Sequence, residues 1–148
     1  MVWGCMSAAG VGNLVFIDGI MDHRVYMTIL NNNLKVSAQN LGILNNFVYY
    51  QDNDPKHTAT NVRLWCLYNC PQTLKTPPQS PDLNPIEHIW KELEVRIRSH
   101  HIKSKIQLKA VIIEEWNKIG AEITKTLVKS MPRRLKAVIK NKGYPTKY

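Results

Sequence analysis

The amino-acid sequence predicts an α/β fold in which helices flank a sheet and a helical part follows it. Short apolar stretches that stop at polar turns, as at 47–50, are typical of buried strands. Longer stretches repeat apolar residues at helical spacing, as over 22–39. The C-terminal part carries further helix signals and no further strand. With 148 residues and 44% hydrophobic residues, the chain fits a single domain with its own core.

The N-terminal half predicts a hairpin, a crossover helix and a buried strand. Residues 1–6 and Asn13–Gly19 are strand-like and are joined by a glycine-containing turn. A helix over about 22–39 then returns the chain to a strand at Phe47–Asp52, with Val25, Ile29, Leu30 and Leu34 on its apolar face. Asp52 is therefore expected at the carboxyl end of a strand, where sites form in open α/β sheets.

The central region predicts a helix, a short strand and a second helix. Helical spacing extends over about 58–68, and Leu74–Thr76 is a short strand that ends at the proline-rich segment 77–85. Asn84 is expected to cap the next helix, with Pro85 at its first position. Glu87 then lies in the first turn of that helix.

The C-terminal region predicts three further helices. Ser104 and Gln107 form a capping-box pattern, and the helix that follows is expected to turn four residues inward, namely Ile106, Ala110, Ile113 and Trp116. A second helix is predicted over about 122–129. Pro132 is expected to open a separate last helix that ends near 143–145.

The positive charge of the chain lies in its C-terminal segment. The formal net charge is +9, and residues 103–148 hold twelve basic and three acidic residues. A one-sided basic surface indicates a polyanionic partner, most simply nucleic acid; a solvated helical face is the alternative. In the last helix Leu135, Val138 and Ile139 are expected to face the domain. This leaves an exposed stripe of basic residues, namely Arg133, Lys136 and Lys140, with Arg134 beside them.

Several classes of protein are disfavoured by the sequence. No apolar run approaches the length that a membrane span needs, and no basic segment followed by an apolar run marks a signal peptide. The three cysteines, Cys5, Cys66 and Cys70, suggest neither a disulfide framework nor a zinc site. We expect a reduced, intracellular protein.

Asp52 and Glu87 are the candidate catalytic and metal-binding pair. Each has an ordinary structural explanation: Asp52 lies in the turn sequence Asp-Asn-Asp-Pro, and Glu87 can complete a capping box with Asn84. Lys56 and His57 can contact a phosphate or simply be solvated. Together, however, the two acids are expected to reach one sheet edge from distant parts of the chain, which is the arrangement a divalent metal site needs.

Two motifs carry a resemblance to a known family. Residues Gln51–Thr58 (QDNDPKHT) and Ser80–Glu87 (SPDLNPIE) place 34 residues between Asp52 and Glu87. With these motifs and that spacing, the chain closely resembles the Tc/mariner transposases. The likeness extends through Val2–Cys5, Phe16–Gly19 and Met131–Arg134, and so covers nearly the whole chain.

The resemblance implies an RNase H-like fold with a mixed central sheet, and an Asp–Asp–Glu site that cleaves and joins DNA strands with two Mg²⁺ (or Mn²⁺) ions. Asp52 and Glu87 match the second and third acids. Lys56, His57, Arg133, Arg134, Lys136 and Lys140 are the candidate DNA contacts. Transposon ends and target DNA are the implied partners, with a homodimer or pairing with intact transposase, a nuclear location and no membrane.

The chain departs from the family pattern in three ways. The first strand with the first acid and the N-terminal helix-turn-helix region are absent, and Thr76 stands where the family commonly has Trp. We therefore expect residues 1–148 to be a partial catalytic domain that is inactive on its own. The alternatives are a non-catalytic remnant that binds nucleic acid or intact transposase, and a chain without function.

Overall fold

The structure is a computed structural model that describes residues 1–77, 80–144 and 146. Pro78 and Gln79 of the proline-rich segment and Pro145 near the predicted end of the last helix lie outside the described residues. The elements follow one another in this order: β1 (Val2–Ser7), β2 (Gly10–Phe16), α1 (His23–Asn40), β3 (Val48–Tyr49), α2 (Pro55–Thr58), α3 (Thr60–Asn69), β4 (Gln72–Thr73), a 3-10 turn (Pro81–Leu83), α4 (Ile86–Arg98), α5 (Lys105–Asn117) and α6 (Ala121–Lys140). None of the described helices combines the length and apolar character needed to cross a bilayer.

The strands form one antiparallel and one parallel pair. β1 and β2 make the predicted hairpin, with an irregularity in register between Gly4 and Met6. β3 pairs in parallel with β4, which lies two residues before the predicted strand at Leu74–Thr76. The Leu74 amide still donates to the carbonyl of Tyr49 at 2.9 Å, but the carbonyl of Thr76 is bound by a side chain, so regular pairing has ended there.

The hairpin separates two groups of apolar side chains. Trp3 and Val15 are partners across the strands and pack on one group, which joins α1, β3 and α3. Leu14, whose strand partner is Gly4, packs on the other group, which is built from α4, α5 and α6. Because successive side chains of a strand point to opposite faces, one hairpin carries both layers.

Trp116 of α5 fixes the C-terminal helices to the hairpin. Its indole Nε1–H donates to the carbonyl of Gly12 at 2.8 Å, and its ring stacks on Trp90 at 5.1 Å between centroids. A Cβ atom on Gly4 would lie 2.8 Å from each of these two rings. The strand therefore passes close to the stacked rings because residue 4 has no side chain.

Two predicted helix starts are confirmed and a third is not. Asp22 caps α1 through the amides of Arg24 and Val25. Ser104 caps α5 through the amide of Gln107. At α4, however, Asn84 makes no side-chain cap, and the helix begins at Ile86 with Pro85 before it. The amide of Asn84 donates to the carbonyl of Pro81, so Glu87 does not complete a capping box.

The predicted inner face of α5 is wrong except for Trp116. Ile106 and Ile113 are 84% and 46% exposed, and Ala110 is exposed too. The buried residues are Val111, Glu115 and Trp116. Apolar residues occur on more than one face of this helix, so spacing alone could not choose between them; the contact of Trp116 with the hairpin sets the rotation.

The C-terminal region contains one continuous helix where two were predicted. α6 runs from Ala121 to Lys140 with Pro132 inside it. Proline in a helix removes one backbone hydrogen bond, and here Pro132 is exposed. The rotation also differs from the prediction: Leu135 and Ile139 are 46% and 77% exposed, whereas Arg134 is 2% exposed.

Arg134 connects α6 to the 3-10 turn, so its predicted place beside an exposed DNA-binding stripe is wrong. Its guanidinium donates to the carbonyl of Asp82 at 3.0 Å and to the hydroxyl of Ser130 at 2.8 Å. The group also lies 3.4–3.5 Å from both ring nitrogens of His88. A buried charge needs such partners, which explains why the polar side chain turns inward and its apolar neighbour outward.

We expect Arg134→Ala to lower the free energy of unfolding by about 3 kcal/mol, because hydrogen bonds from a charged donor contribute roughly 1.5–3 kcal/mol each. Urea unfolding followed by tryptophan fluorescence measures this loss. Arg133→Ala is the matched control, since the neighbouring arginine is exposed and its loss should change stability by about 0.5 kcal/mol or less. Equal losses in the two variants would contradict the assigned role of Arg134.

Candidate active site

Asp52 lies just beyond β3 on a segment that is fastened to the end of β4. The Thr76 hydroxyl donates to the carbonyl of Gln51 at 2.9 Å. The Asn53 amide donates to the carbonyls of Thr76 and Pro77 at 2.9 and 3.0 Å. Side-chain hydrogen bonds therefore join the two segments that follow the parallel strands, where the backbone pairing has ended. Asp52 lies between Gln51 and Asn53, the two residues that make these bonds.

Glu87 reaches the same place from the first turn of α4. The 3-10 turn that leads into this helix is tied to β3, because the Tyr50 hydroxyl donates to the carbonyl of Leu83 at 2.9 Å. A tyrosine hydroxyl is protonated at neutral pH and can donate; burial, aided by the charges of Asp82 and Asp52, raises the pKa of Tyr50 further. The bond brings the start of α4 next to the residues that follow β3.

Asp52 and Glu87 line one cavity of about 300 Å³. Both residues are exposed, as an open site requires. Partial burial, followed by the negative charge of Asp52, raises the pKa of Glu87 above its usual value. The charge of Asp52 thus acts on Glu87 across the cavity, although 34 residues separate the two acids in sequence. The remaining lining comes from the segments just described: Tyr50, Asn53, Asp54, Thr76, Pro77, Ser80, Pro81 and Asn84.

Lys56 and His57 lie beside this site, and both have partners within the chain. Lys56 Nζ pairs with Asp54 at 2.9 Å, and the other oxygen of Asp54 caps α2. The backbone bonds and cap of Asp54 agree with its predicted place in a turn. His57 Nδ1 lies 2.5 Å from Asp52 Oδ1, and only 15% of the His57 side chain is exposed.

The donor set suits a hard divalent cation in kind. Carboxylate oxygens are the ligands that Mg²⁺ prefers, and a cation between Asp52 and Glu87 would offset the charge repulsion that, after burial, contributes to the raised pKa of Glu87. Within residues 1–77, 80–144 and 146, no group of three or more His, Cys, Asp or Glu side chains is arranged to hold a metal ion.

The basic stripe on α6 is longer than the sequence predicted. Arg133, Lys136 and Lys140 are exposed as expected, and the structure adds Lys125 and Lys129. At 3.6 residues per turn these five positions fall within about 80° of one another on the helix. The spacing was present in the sequence, but the helix break expected at Pro132 concealed it.

The chain matches the model of the family described as DDE superfamily endonuclease over residues 3–109. It is 48% identical over 149 residues to the transposable element Tcb1 transposase of Caenorhabditis briggsae. It is 44% identical over 152 residues to the transposable element Tc1 transposase of Caenorhabditis elegans. Each alignment covers 100% of this chain and 54% of the relative, so the chain spans about half the length of these curated relatives.

Solved structures share the fold. One structure of the Mos1 transposase catalytic domain, with raltegravir and Mn, has a TM-score of 0.87 at 19% identity. The alignment covers 99% of this chain and 76% of the Mos1 chain. A Mos1 mariner paired-end complex with Mn has a TM-score of 0.86 at 20% identity over 99% of this chain and 44% of its own. This likeness confirms the predicted RNase H-like α/β fold. The family match, together with the two relatives, shows that the chain belongs to the DDE superfamily endonucleases, in their Tc/mariner branch.

Proposed function

We propose that this chain supplies the Asp52–Glu87 half of a transposase active site and a surface that holds DNA. The observation that carries the proposal is the meeting of these two carboxylates at one cavity. Burial, and after it the charge of Asp52, raises the pKa of Glu87, which agrees with this arrangement. The relatives are transposases, which supports DNA cleavage and joining at transposon ends and target DNA as the reaction of the intact protein. A nuclear location, and a homodimer or pairing with intact transposase, belong to the same proposal.

Mg²⁺ or Mn²⁺ is the proposed cofactor, with two ions in the intact site. When bound, such ions activate the attacking oxygen and stabilise the leaving oxygen at phosphorus. Asp52 and Glu87 would hold them, and the rest of the chain keeps the two carboxylates in place. The Tyr50 bond to Leu83 carries the start of α4 to the site, and the Thr76 bond to Gln51 fixes the segment of Asp52.

The five exposed lysine and arginine side chains on α6 form the proposed phosphate-contacting surface. They lie on the face opposite the buried Thr124 and Arg134, and they span about 22 Å at 1.5 Å per residue. A stripe of this length can follow the phosphate backbone of DNA. A surface stripe does not, however, enter a groove of the duplex to contact nucleobases. Binding through this surface is therefore expected to be independent of sequence. Non-catalytic DNA binding is the second candidate function, and this stripe favours it.

We expect Asp52→Asn and Glu87→Gln each to weaken Mn²⁺ binding by on the order of tenfold or more, because each removes a charged oxygen ligand. Titration followed by the electron paramagnetic resonance signal of free Mn²⁺ measures the affinity. Asp18→Asn is the control, since Asp18 is exposed, lies outside the residues that line the cavity and pairs with Lys109. Unchanged affinity in Asp52→Asn would refute the proposed metal site.

We expect the 148-residue chain alone not to cleave transposon-end DNA with Mg²⁺ or Mn²⁺. Among the described residues no group of three or more potential ligands is arranged to hold a metal ion, and two-metal catalysis depends on fixed coordination. Incubation with labelled end DNA and analysis of the strands on a denaturing gel gives the readout. Specific nicking that disappears in Asp52→Ala would show that this expectation is wrong.

We expect the triple change of Arg133, Lys136 and Lys140 to Ala to weaken DNA binding and to reduce its salt dependence. Each phosphate contact contributes about −0.9 to the slope of log affinity against log salt concentration. Fluorescence anisotropy with two unrelated duplexes over a range of salt concentrations measures both quantities, and equal affinity for the two duplexes is expected.

The charge-matched control for this experiment changes Arg24, Lys35 and Arg63 to Ala, which removes three exposed bases from α1 and α3. This control should leave the slope close to that of the unchanged chain. A slope that is the same in both triple variants would exclude α6 as the DNA-binding surface.

A further inference from the structure

We propose that His57 is a positioning residue that holds Asp52 in the orientation needed to bind a divalent cation. This inference rests on the proposed function, because it gives the metal-binding role of Asp52 a structural support. It also replaces the predicted DNA contact of His57 with a different role. The observations that carry it are the partners of the Asp52 carboxylate and the confinement of the His57 ring.

The Asp52 carboxylate uses one of its two oxygens for contacts within the chain. His57 Nδ1 lies 2.5 Å from Oδ1, and the backbone amide of Asp54 donates to the same oxygen at 3.2 Å. Within the part of the chain that the structure describes, no donor is assigned to Oδ2. With Oδ1 occupied twice, the carboxylate is fixed in rotation and Oδ2 is the oxygen left for a cation at the cavity.

Tyr26 and Gln51 hold His57 in place, the first through its ring and the second through its backbone. It stacks on Tyr26 with centroids 4.0 Å apart and an angle of 30° between the rings. The Tyr26 hydroxyl donates to Gln51 Oε1 at 2.7 Å, and Gln51 Nε2 donates to the carbonyl of His57 at 2.9 Å. Tyr26 is 1% exposed and also shares a hydrogen bond with Tyr49 at 2.8 Å. The ring therefore rests on the buried core and not on solvent.

The contact with Asp52 determines which ring nitrogen carries the proton. An unprotonated Nδ1 would direct its lone pair at a carboxylate oxygen, which is repulsive, so Nδ1 must be the donor. Nε2 is buried, and it has no hydrogen-bond partner among the described residues. One nitrogen thus faces a carboxylate and the other is enclosed, which leaves neither available to a DNA phosphate.

Protein groups that orient metal ligands influence metal affinity strongly. Hydrogen-bond partners of ligating side chains typically change affinity by 10- to 100-fold when they are removed. The predicted effect of losing the His57 donor is therefore of this size. This effect on metal affinity can be told apart from a general loss of stability, because a substitute side chain that restores the hydrogen-bond donor should restore the affinity.

Two substitutions in the 148-residue chain separate the donor from the ring. His57→Phe keeps a ring that can stack on Tyr26 but has no N–H group. His57→Asn loses the ring but places an amide N–H near the position of Nδ1. Mn²⁺ affinity by the paramagnetic titration and thermal unfolding are measured for the unchanged chain, both variants and Asp52→Asn.

We expect His57→Phe to weaken Mn²⁺ binding by about 10- to 100-fold and His57→Asn to remain much closer to the unchanged chain. Affinity in His57→Phe equal to that of the unchanged chain would overturn the proposal. An equal loss in both variants, together with equally lowered unfolding temperatures, would also overturn it, because that pattern indicates a structural role alone.

A second measurement tests the hydrogen bond without any metal. Long-range ¹H–¹⁵N correlation spectra of the histidine rings show which nitrogen carries the proton. We expect His57 to be protonated on Nδ1 in the unchanged chain and to lose this preference in Asp52→Asn. If the unchanged chain does not bind Mn²⁺, or Asp52→Asn binds it equally well, the proposed function fails; His57 protonated on Nε2 in the unchanged chain overturns the positioning role independently.

Discussion

The 3-10 turn Pro81–Leu83 is the constraint on which the geometry of the site depends. Its two neighbouring carbonyls are bound by different parts of the chain: Arg134 of α6 donates to Asp82, and Tyr50 beyond β3 donates to Leu83. A turn held from one side could still rotate, whereas two bonds to different elements fix it. The turn leads directly into α4, so its position sets where Glu87 stands relative to Asp52. This explains why a buried arginine on the last helix bears on a site made by other elements.

The meeting of Asp52 and Glu87 at one cavity could be predicted from the sequence because local patterns place each acid at the end of an element. A short apolar strand ends before Asp52, and a proline-rich segment ends before the helix of Glu87, so both acids were placed at the ends of elements. The partners of these acids were not predicted. The bonds of Tyr50 to Leu83 and of Thr76 to Gln51 join residues 33 and 25 positions apart, and no periodic pattern signals such contacts. The hydroxyl of Thr76 also gives this residue a defined role where the resembled family commonly has Trp.

The errors in the C-terminal region have a common physical origin. Pro132 was expected to end a helix, but α6 continues through it, because packing of the helix against the hairpin and the 3-10 turn outweighs one lost backbone bond. Leu135 and Ile139 were expected to face inward on the basis of polarity, yet Arg134 takes the inner position, where a carbonyl and a hydroxyl receive its hydrogen bonds. The polarity of a side chain predicts its burial only when its hydrogen-bond partners are known. The partners of Arg134 are Asp82, 52 residues away, and Ser130, 4 residues away.

The same principle connects two side chains that the sequence assigned to DNA and that the structure turns inward. Arg134 and His57 each direct their donors at oxygens within the chain, one at the carbonyl of Asp82 and the other at Asp52. The exposed basic side chains of α6 lie on the face opposite Arg134 and outside the residues that line the cavity. The basic side chains of α6 are thus divided between a buried one, Arg134, which supports the site, and exposed ones on the opposite face. Because Arg133 and Arg134 are adjacent in sequence, this division is decided by the rotation of the helix and not by residue type.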